Sequence, residues 1–408
     1  MLAAGLVIFI IVCVNAMLTF SLKSKPLSDS LSGEVTVECT VTDKIYSGEA
    51  STEYTVRDIR IIHSDGEEKL KGKAVFESAV HKNFECGEVL RFKCRIYKYR
   101  LSDNGEIYYY NILREDAYGI SVTDENSFVR SGYNAKPGEV IRSRIKSVIY
   151  NSMGPKTAGL SYALVTGDKS GIDSGITENF RSAGLSHILA ISGLHINFIT
   201  LIIIKVLSLC KAGRKTEFFI TVAVLFAFTA LCGFPASCVR ALIMAAVYLG
   251  AKLTGREYDT ASSVSFAALI ILLFSPFMLF NAGFLLSFTA VGGICILYPV
   301  LTGLFKKKNF IIENAAVSIS AQAFSTPFVL AVFGEFSLVG VLCNLIAIPF
   351  IGIIYPLLVV FVLLAAIIPV LSAIPAFLEL PMRLFMDISE ISSLVPFGTL
   401  SLDFNYAQ

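Results

Sequence analysis

The 408-residue sequence has no tryptophan and only four histidines: His63, His81, His187 and His195. Charged residues make up 16% of it, against roughly 25% in an average soluble chain. With so little charge and 54% hydrophobic residues, the chain reads as a membrane protein. Its nine cysteines form no CxxC pair, and the scattered histidines form no HxHxDH cluster, which argues against a zinc or dinuclear metal site. No GxxxxGK[ST] occurs, which excludes a Walker-type ATPase. No cofactor and no catalysis of its own are expected.

What is present is unevenly distributed. Residues 1–20 are one apolar run without a basic leader or a small-residue cleavage pattern, expected to be an uncleaved anchor helix. Residues 32–124 read as a soluble β domain. Strand-like runs cover Glu34–Thr42, Glu53–Ile62, Lys69–Glu77, Glu88–Tyr99 and Ile107–Val122, separated by turn signals such as Asp65-Gly66 and Asn104-Gly105. Five short strands suit a small closed barrel of the OB type; an SH3-like barrel or a small sandwich fits almost as well. Cys39, Cys86 and Cys94 would allow one disulfide if this domain lies outside the cell, with the pairing open. On the fourth run, alternation puts Arg91, Lys93, Arg95, Tyr97 and Tyr99 on one face, with Tyr108, Tyr109 and Tyr110 able to extend it. Cations for phosphates and rings for bases are what single-stranded DNA needs. Yet the stretch Ser32–Arg130 has 14 basic against 18 acidic residues, which favours the plainer reading, a solvated strand face with its tyrosines packed on the barrel.

Residues 131–182 form a basic connector. Pro137 opens a helical pattern that sets Val140, Ile141, Ile145, Val148 and Ile149 on one side, with Arg142, Arg144, Lys146 and Lys156 supplying charge. That suits a helix lying in the membrane interface. From Leu185 onward, apolar segments follow one another: Leu185–Leu209, Phe218–Gly233, Ala236–Leu253, Ala261–Phe274, Gly283–Leu304, Ala315–Phe333, and a last one from Leu338. Several fall short of the ~20 residues a span needs, so tilted or broken helices are expected. Alternate loops carry Lys211, Arg214 and Lys215, then Lys252 and Arg256, then Lys306, Lys307 and Lys308, while the intervening turns have no Lys or Arg. The positive-inside rule places the charged loops in the cytoplasm and the β domain outside. The expected class is therefore an α+β membrane protein: an anchor, an extracellular OB-like barrel and a polytopic helical bundle over residues 185–408.

The chain is organised around Asn179–Asn197, NFRSAGLSHILAISGLHIN, where His187 and His195 stand in an apolar run. If that run is one helix, residues eight apart project within about a quarter turn of each other. Ionisable groups at membrane depth usually face a bundle interior or a water-filled path. Two neutral imidazoles bonded between helices are the plainer alternative. A serine hydrolase using Ser192 would need its base on another element, and no other span carries a histidine. Broken helices around a midplane site would also suit a secondary transporter for a small anionic substrate, the second functional class in view.

GLSHILAISGLHI, Gly184–Ile196, resembles the signature of the ComEC competence-protein family, membrane channels of bacterial DNA uptake. GDKSGI at Gly167–Ile172, VRALIM at Val239–Met244, GFLLSFTAVGGI at Gly283–Ile294 and the stretch from Pro327 through Asn344 to Pro349 resemble further family segments in the same order. The resemblance implies a multi-pass protein of the bacterial cell membrane that passes single-stranded DNA inward between helices. It carries over to His187, Ser192, Gly193, His195, Arg240, Ser287 and Asn344 as candidate path residues. It also implies partners: a cytoplasmic helicase-type ATPase, a DNA receptor protein and the lipid bilayer, with a homo-oligomer left open. Many members of that family continue into a metallo-β-lactamase-like domain; this sequence ends at Gln408 without one, so the nuclease is expected to be a separate protein.

Overall fold

A computed structural model describes residues 33–47, 51–63, 66–70, 73–79, 84–98, 116–134, 137–305, 309–393 and 399–401. The expected anchor over residues 1–20, together with Tyr99, Tyr108–Tyr110 and Lys306–Lys308, lies outside these described residues. The chain divides near Arg144 and Ile145 into two compact units.

The first unit is built on β1 (Val35–Ser47), β2 (Ser51–His63), β3 (Gly66–Lys69), β4 (Lys73–Ala79), β5 (Glu88–Lys98), β6 (Asp116–Val122) and β7 (Val129–Tyr133). Strands run in the order β1-β2-β4-β6-β5, and β1 also pairs with β5, which closes a five-stranded barrel. Every pairing around the ring is antiparallel except β4 with β6. β3 extends β2, and β7 extends β5.

Alternation fills the barrel: Val37, Cys39 and Val41 from β1, Ala74 and Phe76 from β4, and Leu90, Phe92, Cys94 and Ile96 from β5 all point inward. Along β2 the parity changes, with Tyr54 and Val56 inside and then Ile59 and Ile61. The cause is a bulge. Glu38 pairs with Arg60 and Thr40 with Arg57, so Asp58 and Ile59 together oppose Cys39, and Asp58 takes a left-handed φ of 53°. Without that extra residue, the second half of β2 would turn its apolar set outward.

Cys39, Cys86 and Cys94 are all free thiols, so no disulfide joins them. Burial pushes the Cys94 thiol up to about 12 and Cys39 well above its ordinary value. Neither is a nucleophile at neutral pH.

α1 (Pro137–Ser152) forms where the sequence pattern places it, but its exposure differs. Ile145 and Ile149 are fully buried, whereas Val140 and Ile141 are half exposed. The barrel-proximal turn is instead held by buried Glu139, whose carboxylate lies 3.3 Å from the guanidinium of Arg57.

The second unit is helical: α2 (Pro155–Thr166), α3 (Ser174–Ser182), α4 (Ser186–Leu189), α5 (Gly193–Leu209), α6 (Arg214–Leu231), α7 (Ala236–Thr254), α8 (Thr260–Phe274), α9 (Ala282–Gly303), α10 (Phe310–Phe333), α11 (Gly340–Ile367) and α12 (Glu379–Ser393). A short β8 (Glu335–Ser337) pairs with β9 (Thr399–Ser401). Four helices, α7, α9, α10 and α11, are long and apolar enough to cross a membrane; α5 and α8 are apolar but shorter. α11 reaches about 42 Å at 1.5 Å per residue, longer than a bilayer core of about 30 Å, and contains Pro349 and Pro356. At the open ends of α6 and α7, Lys252 Nζ holds Glu217 Oε1 at 2.6 Å.

The start of α2 has no side-chain cap of its own. Glu379, at the head of α12, supplies one: its Oε2 accepts from Gly154 N–H at 3.1 Å and from Thr157 Oγ1 at 2.5 Å, while Arg383 binds Oε1 at 2.7 Å. Burial alone would raise the Glu379 carboxyl, but the hydrogen bonds from Thr157, Arg383 and Gly154 outweigh it and hold it below its ordinary value. A depressed folded-state pKa stabilises above the unfolded value, near 4.3, and the benefit fades as pH falls through the folded value. Glu379→Gln is therefore expected to cost about 1–3 kcal/mol at pH 7, by analogy with other hydrogen bonds to charged groups. The gap to wild type should shrink below about pH 4. Thermal unfolding in detergent at both pH values checks this, and a gap independent of pH would rule the account out.

Candidate functional site

The stretch read as one histidine-bearing helix is two elements. α3 ends at Ser182 and is closed by Gly184, whose φ of 73° is left-handed, with Leu185 N–H returning to Phe180 O at 2.7 Å. A Cβ there would lie 2.8 Å from Gly340 Cα, so only glycine lets this turn seat against the start of α11. α4 then lasts four residues. Ala190 and Ser192 are extended, and α5 starts at Gly193. His187 therefore belongs to α4 and is exposed, while His195 belongs to α5 and is 1% exposed.

Ser192 and His195 make the break a defined structure. Ser192 is the N-cap of α5: its Oγ accepts from Leu194 N–H at 3.3 Å, and Ser192 N–H donates to His195 Nδ1 at 3.0 Å. The reciprocal pair is a capping box with histidine in the place usually held by Glu or Gln. An acceptor at Nδ1 puts the proton of a neutral imidazole on Nε2. That Nε2 is buried without a hydrogen-bond partner, and the ring stands edge-on to Tyr355 of α11, with centroids 4.3 Å apart. The carbonyl of Ile191, inside the break, is met from α7 by Ser237 Oγ at 2.7 Å.

Arg240 lies one turn further along α7 and is 6% exposed. Its Nη1 donates to the Ser287 carbonyl on α9, and the guanidinium lies 5.6 Å from the centre of the Phe288 ring. Gly193 packs directly against it: a Cβ at Gly193 would come within 2.7 Å of Arg240 Nη2. Ser192, Gly193, His195, Arg240 and Ser287 thus form one cluster where α5, α7 and α9 meet. Asn344 is buried on α11 with its Oδ1 unpartnered, and no hydrogen bond joins it to that cluster. Ser237, Phe288 and Tyr355 belong to the site and are not apparent from sequence. The one signal for Tyr355 was a lone hydroxyl beside Pro356 in a helix that is apolar from Leu345 onward apart from it.

On the barrel, Arg91, Lys93 and Arg95 all point outward from β5. Arg91 is held by Glu38 at 2.9 Å. Tyr97 is in β5 opposite Gly119.

A closed β-barrel, a bundle with four helices able to cross a membrane and a broken helix with a buried cation define an α+β multi-pass membrane protein. Residues 164–407 match the competence protein family, and the chain belongs to it. It is similar to ComE operon protein 3 of Bacillus subtilis, 31% identical over 210 residues, which cover 52% of this chain and 27% of that protein. It is also similar to Recombination protein 2 of Haemophilus influenzae, 26% identical over 222 residues, 50% of this chain and 28% of that one. The chain thus spans well under half the length of these relatives. No solved structure matches it.

Proposed function

We propose that this protein is the membrane component through which single-stranded DNA enters the bacterial cytoplasm during natural transformation. The observation that carries this is the α4–α5 break, where a buried arginine stands beside an opened helix within a bundle of the competence family. Irregular backbone at membrane depth is tolerated where it is packed in protein or lines a cavity, and a buried cation there suits an anionic polymer.

The charge pattern of the loops supports a barrel outside the cell. The strand order and the parallel β4–β6 pair support an OB-like reading, with Arg91, Lys93, Arg95 and Tyr97 as a surface for incoming DNA. A helicase-type ATPase, a DNA receptor and a nuclease activity complete the proposed machinery.

The test is uptake of labelled DNA after deletion of the gene, then complementation with wild type or His195→Ala. Deletion is expected to abolish internalisation and leave surface binding. His195→Ala, which removes half of the capping box, is expected to restore it only in part. Internalisation untouched by deletion would overturn the reading and favour transport of a small anion, which the uncompensated Arg240 would equally suit.

A further inference from the structure

Among the described residues, Arg240 is a buried cation without a counter-charge. Among the described residues the ion pairs of the bundle are Arg181–Glu335, Lys252–Glu217 and Arg383–Glu379, and Arg240 takes part in none. Its surroundings supply one carbonyl and one ring face, and its Nε is buried with no partner at all. Leaving a charged group so poorly matched costs several kcal/mol in general.

What faces Arg240 makes the mismatch worse. Gly193 is the first residue of the 17-residue α5, so the guanidinium abuts a helix N-terminus, which carries about half a positive charge. Leu194 N–H is taken by Ser192 Oγ, and His195 and Ile196 N–H turn back to Ser192 O. Gly193 N–H has no such bond among the described residues. Two positive elements, each with a free donor, therefore meet with nothing negative between them. Gly193 and Ser287 are both half-exposed, so the junction is open on that side. The absence of a side chain at Gly193 lets Arg240 Nη2 pack directly against the start of α5, where a Cβ would come within 2.7 Å of it, so an anion meets both groups from the open side rather than from between them.

We propose that the N-terminus of α5 and Arg240 together form an anion site that takes a phosphate group. Gly193 N–H and Arg240 Nη2 are the donors, and Ser287 O, which accepts from Nη1, fixes the guanidinium plane. Phosphate at a helix N-terminus with a planar guanidinium beside it satisfies both positive elements at once. A phosphodiester of a nucleic acid strand and free inorganic phosphate share this chemistry. That the phosphate belongs to DNA rests on the proposed function; the anion site itself does not.

The full chain in detergent, titrated with sodium phosphate against sodium chloride at equal ionic strength, tests the site. Wild type is expected to show a saturable rise in Tm with phosphate that chloride does not reproduce. Arg240→Gln should weaken the apparent affinity at least tenfold, and Lys156→Gln, an exposed cation on another helix, should leave it unchanged. Should Arg240→Gln not fold, Gly193→Ala, whose methyl meets Nη2, carries the same expectation. No saturable effect in wild type, or an undiminished one in these variants, overturns the site. A second arm adds a short thymidylate oligonucleotide and its uncharged methylphosphonate analogue. Displacement of phosphate by the charged strand alone supports DNA as the source. A phosphate effect that neither strand disturbs keeps the anion site and overturns the DNA assignment.

Discussion

Arg240→Glu is expected to reduce internalisation of DNA about a hundredfold or more in complemented cells, with protein levels in the membrane fraction close to wild type. The size follows from reversing a charge at a 6%-exposed position. A hydrogen bond to a charged group is worth about 1.5–3 kcal/mol, a carboxylate in its place adds repulsion of a phosphate, and each 1.4 kcal/mol is a factor of ten. The carboxylate would also face the Ser287 carbonyl oxygen in place of a donor. Two features limit collapse of the fold: glutamate is smaller than arginine, and the N-terminus of α5 beside it favours a negative charge. The variant is thus expected to fold and to fill its own anion site. Arg240→Lys keeps the charge and loses the planar donor geometry, so it should fall between the two. Internalisation by Arg240→Glu at wild-type level would remove Arg240 from any transport path. Loss of the protein from the membrane would show that its role is structural instead.

Much of this was legible in the sequence, for identifiable reasons. The five barrel strands follow period-two alternation bounded by turn residues, a local signal. The helices follow from apolar runs between charged loops, also local. The parity change at Asp58 was not readable, because a bulge in β2 is set by its register against β1. Nor was the break at Ala190–Ser192. AISG sits in an apolar run with no proline, and beside the local Ser192–His195 cap the opened backbone is held from elsewhere, by Ser237 on α7 and the ring of Tyr355 on α11. His195 could be picked out as an unusual residue in an apolar segment, but its local task, holding the N–H of Ser192, is a property of the cap. Gly193 stood out only as part of a motif. Its physical meaning, a missing side chain against Arg240, needed α5 and α7 together.

The GDKSGI turn poses the same problem in sharper form, and its answer makes the second large prediction. By sequence it is a glycine-rich turn after an apolar helix, with no phosphate-loop pattern. In the structure its Gly171 is a seat for α2: a Cβ on Gly159 would lie 2.0 Å from the Gly171 carbonyl oxygen and 2.8 Å from its carbonyl carbon. On its other side, a Cβ on Gly171 would lie 2.3 Å from the Tyr150 hydroxyl of α1. Both obstacles to Gly159 are backbone atoms, so no rotamer change makes room. α2 or the turn would have to move, and with it Gly167, which sits against Ile191 in the break that leads to Arg240. Gly159→Ala is expected to destabilise by about 3 kcal/mol, at the upper end for overpacking a well-filled core, despite the better helix propensity of alanine. In DNA uptake it should cost as much as it costs in folded protein. Gly292→Ala, on α9 with nothing within 4 Å of its Cβ position, should be neutral or slightly stabilising. Thermal unfolding of the two variants side by side in detergent separates these outcomes. A Gly159→Ala midpoint indistinguishable from that of Gly292→Ala would mean that the turn yields freely. The glycines of GDKSGI would then need a reason other than close packing.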